Sequence, residues 1–502
     1  MRRSSTNWRP SKASSLNQAG AHLRRTALLL RLLRLRLGWP RLVPAPVRHI
    51  LGHLSACAGQ PTYLVGGSVR DLLLGRAVHD WDLASAALPD AVRALFPRTL
   101  DTGIAHGTVT VVHQGCAVEV TTFRREGPYL DGRHPSSVSF DAGLRDDLAR
   151  RDFTINAMAL GAGGRLHDPF GGLDDLALRR IRAVGDPAAR FAEDHLRVMR
   201  AFRLAAELGF DLDSGTAAAA RACACALDRV AAERLRAELD RILLSPNASW
   251  ALERLRAAGA IDVLLPELTA GAGFVQNEYH PHDVWTHSVL TCAHIEPVLH
   301  LRLAGLLHDA GKPVTLTVDE LGRRHFYGHE RRSAELAEDI MRRLRYDQDT
   351  TRRVVHLIRV HMDLHDLPAG SGDAAVRRVA ARVGRENIAD LLRLRRADRL
   401  AAGKPRAASA GILRLLERLA ALERADEALS LSDLRIDGHG VMEATGLPPG
   451  PQVGRVLAGL LEAVLDNPEI NNPADLARLA RILARQRSAR DFGMWKRSPP
   501  QG

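Results

Sequence analysis

The sequence predicts an α+β protein: a small mixed-sheet head, an all-α neck and body, a second α-helical domain and a helical tail. Three observations carry this. Tyr63 to Asp82 reads as strand, glycine turn, helix and strand, and two more β-rich runs follow. Beyond about residue 186, apolar residues recur at helical spacing. The chain is poor in aromatics and rich in Ala, Leu and Arg, which favours helices. At 502 residues it exceeds what one core supports. The expected divisions are a leader at 1–48, the head at 49–185, a neck and body at 186–275, a histidine-rich domain at 276–405, a tail at 406–490 and a disordered end at 491–502.

The leader explains the charge. Residues 1–50 hold 11 Lys/Arg and no acid, so the remaining chain carries 59 basic (70 less 11) against 58 acidic residues. A global polycationic field is excluded, and any RNA-binding surface is a local patch. A disordered or mis-started extension is the expected state of residues 1–48; an amphipathic helix on RNA or a membrane surface and a targeting signal are the alternatives. The apolar run Ala27 to Leu30 is too short to span a bilayer, and no other stretch is long enough, so no membrane is expected. Cys57, Cys116, Cys223, Cys225 and Cys292 form no Cys-x-x-Cys pair, which points to reduced thiols in a cytoplasmic protein.

In the head, Tyr63-Leu64-Val65 reads as a buried strand, after which Gly66 and Gly67 let backbone N–H groups approach a phosphate at a helix start. Arg70 adds a bidentate phosphate fork. Asp80 and Asp82, two apart on the next strand, present carboxylates on one face and can hold Mg²⁺ ions about 4 Å apart. A helix is expected over Pro89 to Phe96, then β-rich runs over Gly107 to Val112 and Cys116 to Phe123 with a Gln114-Gly115 turn. Glu119, charged in an otherwise uncharged strand, is a solvated edge or a third carboxylate supporting metal or proton transfer. The loop Arg124 to Pro135, with Asp131-Gly132-Arg133, is an ordinary surface loop or a mobile lid.

Arg150-Arg151-Asp152-Phe153-Thr154-Ile155-Asn156 offers arginines for phosphates, and Asp152 and Asn156 for a ribose; helix-end ion pairing is the competing reading. Along Glu193 to Arg203, Asp194, Arg197, Arg200 and Arg203 recur every third position, while Leu196, Met199 and Phe202 face a core. An Asp acceptor with an Arg donor can pair with a base edge, and the farther arginines can meet phosphates.

Taken in order, Gly-Gly-x-x-Arg-Asp, Asp-x-Asp, Arg-Arg-Asp-x-Thr-x-Asn, Asp168-Pro169-Phe170-Gly171-Gly172 and Glu-Asp-x-x-Arg-x-x-Arg resemble the class II tRNA nucleotidyltransferases, which add CCA to tRNA 3′ ends, and their bacterial poly(A) polymerase relatives. The resemblance covers residues 60–270. It implies that Asp80 and Asp82 bind catalytic metals and Glu119 completes the carboxylate set. It also implies that Gly67, Arg70, Arg151, Arg200 and Arg203 contact the triphosphate, and that Asp194 and Arg197 select CTP or ATP. The implied partners are tRNA, ATP and CTP, with neither DNA nor membrane. Gly103 to Thr108, Gly185-Asp186-Pro187 and the loop at Asp131 favour CCA over a poly(A) or CC-only product.

Residues 280–365 are His-rich. His287 precedes an apolar helix, Leu299 to Leu307, ending in His308-Asp309-Ala310-Gly311-Lys312; an adjacent His-Asp can bind metal, and Lys312 supplies a cation for phosphate. His329, His361 and Asp398 are further candidates. This segment resembles the HD metal-dependent phosphohydrolases. That pattern assigns His287, His308, Asp309 and Asp398 to a first metal, with His329 and His361 completing a second. It implies a Mg²⁺, Mn²⁺ or Ni²⁺ dependent phosphodiesterase or phosphatase acting on phosphorylated RNA ends or cyclic nucleotides. A hydrolase whose head only docks RNA is the rival from another class. Pro448 to Leu465 resembles the tail by which the same family grips the tRNA elbow; a packing bundle is the alternative.

Overall fold

The computed structural model describes residues 14–57, 59–127, 136–276, 281–363, 372–403, 417–418 and 430–493. The chain forms two compact units, Met1–Pro266 and Glu267–Gly502.

The first unit is built on strands β1 (Thr62–Val65), β2 (Trp81–Ser85), β3 (Thr99–Gly103), β4 (Thr108–His113) and β5 (Cys116–Thr122). A small hairpin, β6 (Arg125–Glu126) and β7 (Val138–Ser139), pairs apart from them, and β8 (Ala159–Leu160) and β9 (Leu166–His167) complete the main sheet. Its order is β3-β4-β5-β2-β1-β8-β9. The β2–β5 pair is parallel and the other neighbours are antiparallel, which is the expected mixed sheet. Alternation decides what each strand shows. Trp81 and Leu83 enter the core, while Asp82 takes the other face, directly across from Glu119 in register. Gln114 and Gly115 both carry positive φ, 48° and 77°, as a tight hairpin turn requires. The helical part follows as Pro187–Glu193, Leu196–Leu208, Ser214–Cys223, Ala232–Leu244 and Ala248–Ala257.

The leader departs from expectation. From Ser14 it is a helix, α1 (Ser14–Leu42), followed by α2 (Ala45–Cys57) and, after β1, α3 (Gly67–Leu74). Leu28, Leu35, Trp39 and Val43 are buried. Arg24 donates to the Ala177 carbonyl at 2.7 Å, Arg31 to the Leu73 carbonyl at 3.2 Å, and Arg25 pairs with Asp174 at 2.9 Å. The arginines that suggested disorder instead serve helix C-terminal carbonyls and a carboxylate of the head. Residues 1–13 lie outside the described residues.

The second unit is helical. Val284–His294, Leu299–Leu307, His329–Arg343, Gln348–Val360 and Ile388–Ala401 carry the histidine-rich segment, with a short hairpin, Thr317–Val318 with Arg324–His325. In the tail, Gly438–Thr445, Pro451–Asp466 and Pro473–Gly493 bury Val441, Val453, Val456, Leu460, Val464, Leu476 and Ala480 against one another. Residues 491–493, expected to be disordered, continue the last helix; those beyond lie outside the described residues. Among the described residues, no helix is long and apolar enough to cross a membrane.

Candidate functional site

Gly66 sits between β1 and α3 with φ 74°, and a Cβ there would stand 2.9 Å from an Arg151 guanidinium nitrogen and 3.5 Å from Asp82 Oδ2. A side chain would therefore block the approach of both functional groups. This corner opens a cavity of about 530 Å³. Of the sequence candidates, Gly66, Gly67, Asp82, Arg151, Asp152, Asn156, Asp194, Arg197 and Arg200 line it. The same wall includes Arg150, read with Arg151 as a phosphate arginine, and His106, Arg124, Glu126 and Arg234, which were not among the candidates.

The carboxylate corner shows its strain electrostatically. Burial pushes the Asp82 carboxyl up to about 6; Arg151 opposes this, and Glu119 and Asp80 add to it. Asp80, just before β2, and Glu119 are exposed and do not line the cavity, but both act electrostatically on Asp82. Three carboxylates this close repel without a cation, and a divalent ion between them relieves that repulsion.

The arginines are held by acids. Asp147, fully buried, accepts from Arg150 at 2.6 and 2.9 Å and from Arg151 at 3.3 Å. Arg151 Nε is buried without a hydrogen-bond partner. Glu126 receives Arg124 at 2.8 Å and Arg150 at 3.3 Å. Arg70 does not line the cavity; it donates to Asp71 and, at 2.8 Å, to Asn156 Oδ1. Asn156 in turn donates to Asp152 at 3.1 Å, and Asp152 receives Arg200 at 2.6 and 2.9 Å. Burial works to raise the Asp152 carboxyl, but Arg200 and Asn156 hold it well below the carboxylate range. Asp152 in turn raises Arg200.

On the helix Leu196–Leu208 the arginine flank is not left to repel. Arg197 meets Glu193 at 2.5 Å, Arg200 meets Asp152, and Arg203 meets Glu207 at 2.9 Å and Glu238 at 2.5 Å. Arg203 is buried by these pairs and does not line the cavity, so the expected triphosphate contact does not arise in this arrangement. Asp194 does line it, held by Arg234 at 2.8 Å and by the Leu196 amide at 3.1 Å. The segment with Asp131-Gly132-Arg133 lies outside the described residues.

The second unit brings its candidates close together. Ligand atoms of His287, His308 and Asp398 lie within 4.8 Å of one another, as do those of Asp309, His329 and His361. Asp309 joins the groups: Oδ2 is 3.4 Å from His287 Nε2 and 3.2 Å from His308 Nε2, and Oδ1 is 3.5 Å from His329 Nε2. The bridging position refines its assignment to a first metal. Nδ1 of His308, His329 and His361 faces the carbonyl of Gly305, Phe326 and Ile358 at 3.0, 2.8 and 2.6 Å. That fixes Nε2 as the lone-pair nitrogen. Nε2 of His308 and His329 is buried without a hydrogen bond, a condition costing about 1–3 kcal/mol each that a cation removes. Burial, with His308 and His329 nearby, pushes His361 down to about 3, so it stays a neutral ligand. The donor set suits a pair of divalent metals.

Comparison with known proteins assigns the domains. Residues 62–182 match the poly A polymerase head domain, 209–271 an RNA and SrmB binding site of polymerase A, and 278–403 the HD domain. The CCA-adding enzyme of Streptococcus sanguinis (strain SK36) is 36% identical over 414 residues, spanning 82% of this chain and 90% of that relative. The chain belongs to the CCA-adding enzymes. Among them, that of Streptococcus gordonii is 52% identical over 211 residues, covering 42% of this chain and 53% of its own. The structure of the Bacillus stearothermophilus CCA-adding enzyme in complex with CTP is 30% identical, with a TM-score of 0.65 over 90% of this chain and 100% of that one.

Proposed function

We propose that this chain completes tRNA 3′ ends by adding CCA from CTP and ATP without a nucleic-acid template. The observation that carries this is one cavity holding a metal-type carboxylate (Asp82), phosphate-type arginines (Arg151, Arg200) and a base-edge pair (Asp194, Arg197). The family and the CTP complex of the Bacillus stearothermophilus relative support it.

Asp80 and Asp82 would hold Mg²⁺, which supplies charge neutralisation on the phosphates and acidifies the attacking hydroxyl. Glu119, beside Asp82 in register, adds negative potential to that corner. Arg151 and Arg200, together with Arg150, take the triphosphate, and Asp194 and Arg197 read the amino-bearing edge of cytosine or adenine. The tRNA 3′ oxygen forms a bond to the α-phosphorus, the α–β bridging P–O bond breaks, and pyrophosphate leaves against the arginines. The hydroxyl proton passes to a carboxylate of the trio.

In the second unit, His287, His308, Asp309, Asp398, His329 and His361 would hold Mg²⁺, Mn²⁺ or Ni²⁺ for hydrolysis of phosphoesters on RNA ends or cyclic nucleotides. Lys312, 2.7 Å from Asp309, places a cation for the phosphate. We assign the protein to the cytoplasm, consistent with the free thiols of Cys116, Cys223, Cys225 and Cys292. Incubating the protein with tRNA ending at the discriminator nucleotide, CTP and ATP, and then sequencing the 3′ ends, tests the main reading. CCA ends support it; long A tails, or arrest at CC, overturn it.

A further inference from the structure

Helix α1 carries two apolar stripes on opposite sides, and the head uses one of them. Leu28, Leu35 and Trp39 are buried where the helix packs on α3 and on the helix Gly172–Leu178. At about 100° of rotation per residue, Leu23, Leu30, Leu33 and Leu37 fall on the other side. They are 74%, 55%, 52% and 79% exposed. Leu23, Leu30 and Leu37 recur two turns apart, so they form a ridge about 21 Å long. Of the 19 exposed large hydrophobic side chains described, six lie in α1, these four with Leu29 and Leu42. Packing on the head gives no reason to hold so many leucines in water on one helix face, and such a concentration marks a contact surface. The charges divide in the same way. Arg24, Arg25 and Arg31 are engaged by the head, whereas Arg34, Arg36 and Arg41 are exposed and, among the described residues, meet no carboxylate. The helix contains neither Asp nor Glu.

Charge selects the occupant of this ridge. A second copy of the chain would set arginines against arginines, with no acid on either helix to answer them. RNA answers the cations but is gripped through stacking rings, and Trp39, the helix's one Phe, Trp or Tyr, is buried. A bilayer surface rich in anionic headgroups answers both features, because leucines enter the hydrocarbon boundary while arginines meet the headgroup phosphates. We propose that α1 docks the head on an anionic membrane surface, lying in its plane with Leu23, Leu30, Leu33 and Leu37 inserted and Arg34, Arg36 and Arg41 on lipid phosphates. A helix lying on a bilayer needs an apolar stripe and no spanning length, so docking accords with the lack of a spanning helix among the described residues. Because the inner stripe and Arg24, Arg25 and Arg31 bind the head, the surface holds the folded head itself.

The test is co-sedimentation of the full chain with vesicles of mixed phosphatidylglycerol and phosphatidylcholine, compared with vesicles of phosphatidylcholine alone. The wild-type chain is expected to partition onto the anionic vesicles about tenfold more strongly, a difference that high salt removes. The double variant Leu30→Ser, Leu37→Ser is expected to weaken binding to anionic vesicles about hundredfold, since each inserted leucine contributes about tenfold. Neither leucine lines the nucleotide cavity, so nucleotide addition to tRNA is expected to be unchanged. Arg34→Gln with Arg41→Gln is expected to erase the preference for anionic vesicles. Absence of vesicle binding by the wild-type chain, or equal partition of wild type and the double leucine variant, overturns the proposal. A dimer in sedimentation equilibrium that the leucine variant dissolves would assign the ridge to a second copy. A loss of tRNA affinity in that variant, with vesicle binding intact, would assign it to RNA, and either result overturns membrane docking.

Discussion

Replacing Arg234 by alanine removes the cation that aims Asp194 into the cavity. Asp194 Oδ2 receives Arg234 at 2.8 Å and Oδ1 at 3.4 Å, with side chains 29% and 18% exposed. A hydrogen bond to a charged group contributes about 1.5–3 kcal/mol. Partial exposure brings this to about 1–2 kcal/mol, since surface pairs contribute little. The Leu196 amide, at 3.1 Å, still holds Oδ1, so Asp194 stays in place but turns more freely. One to two kcal/mol corresponds to a factor of about 5 to 30 in rate. Arg234→Ala is therefore expected to lower kcat/KM for CTP and ATP by about tenfold. UTP and GTP incorporation rises relative to both, because the acceptor that reads an amino group is no longer fixed. Single-turnover extension of tRNA with each of the four nucleotides measures both effects. Values within twofold of wild type, with selectivity unchanged, would refute a role for Arg234 in base reading.

Three further outcomes follow from the same geometry. Because Asp82 titrates near 6 and binds a cation only as carboxylate, Mg²⁺ affinity at the head is full above that pH. It weakens toward tenfold per unit below it; Arg151→Ala, removing a cation that lowers the value, moves the midpoint upward, and a flat Mg²⁺ titration between pH 5 and 8 contradicts this. Asp147→Ala leaves Arg150 and Arg151 without their buried partner, costing about 3–5 kcal/mol and on the order of 10 °C in thermal midpoint, read by calorimetry; a midpoint within 2 °C (about) of wild type counts against the anchor. Asp309→Ala, by removing the ligand shared between the two metal groups, is expected to abolish hydrolysis of 2′,3′-cyclic AMP and spare CCA addition; loss of both activities would show that the two sites are coupled.

What the sequence revealed were features set by local spacing. The glycine pair before a helix and a His-Asp step ending an apolar helix depend on neighbours within a few residues and stand where their spacing placed them, while of the two carboxylates only Asp82 lies on β2 and Asp80 precedes it. What it hid depends on distant partners. Arg203 resembles its neighbours at three-residue spacing, yet Glu238, 35 residues later, takes it out of the cavity. Arg234 lies 40 residues from Asp194, with no periodic signal linking them. Asp309 as a bridge needed the placement of His329 and His287 on separate helices. The leader misled for a different reason. Its leucines lie on opposite sides of α1, Leu28 and Leu35 buried and Leu23, Leu30 and Leu37 exposed, so no single apolar stripe emerges from the Leu-Arg alternation.

The most direct test is a structure of this chain with CTP and Mg²⁺ bound. The triphosphate is expected against Gly66, Arg151 and Arg200, the metal on Asp80 and Asp82, and the cytosine edge on Asp194 and Arg197. CTP bound outside this cavity, or in it with its base away from Asp194 and Arg197, would overturn the assignment of this cavity as the nucleotide site.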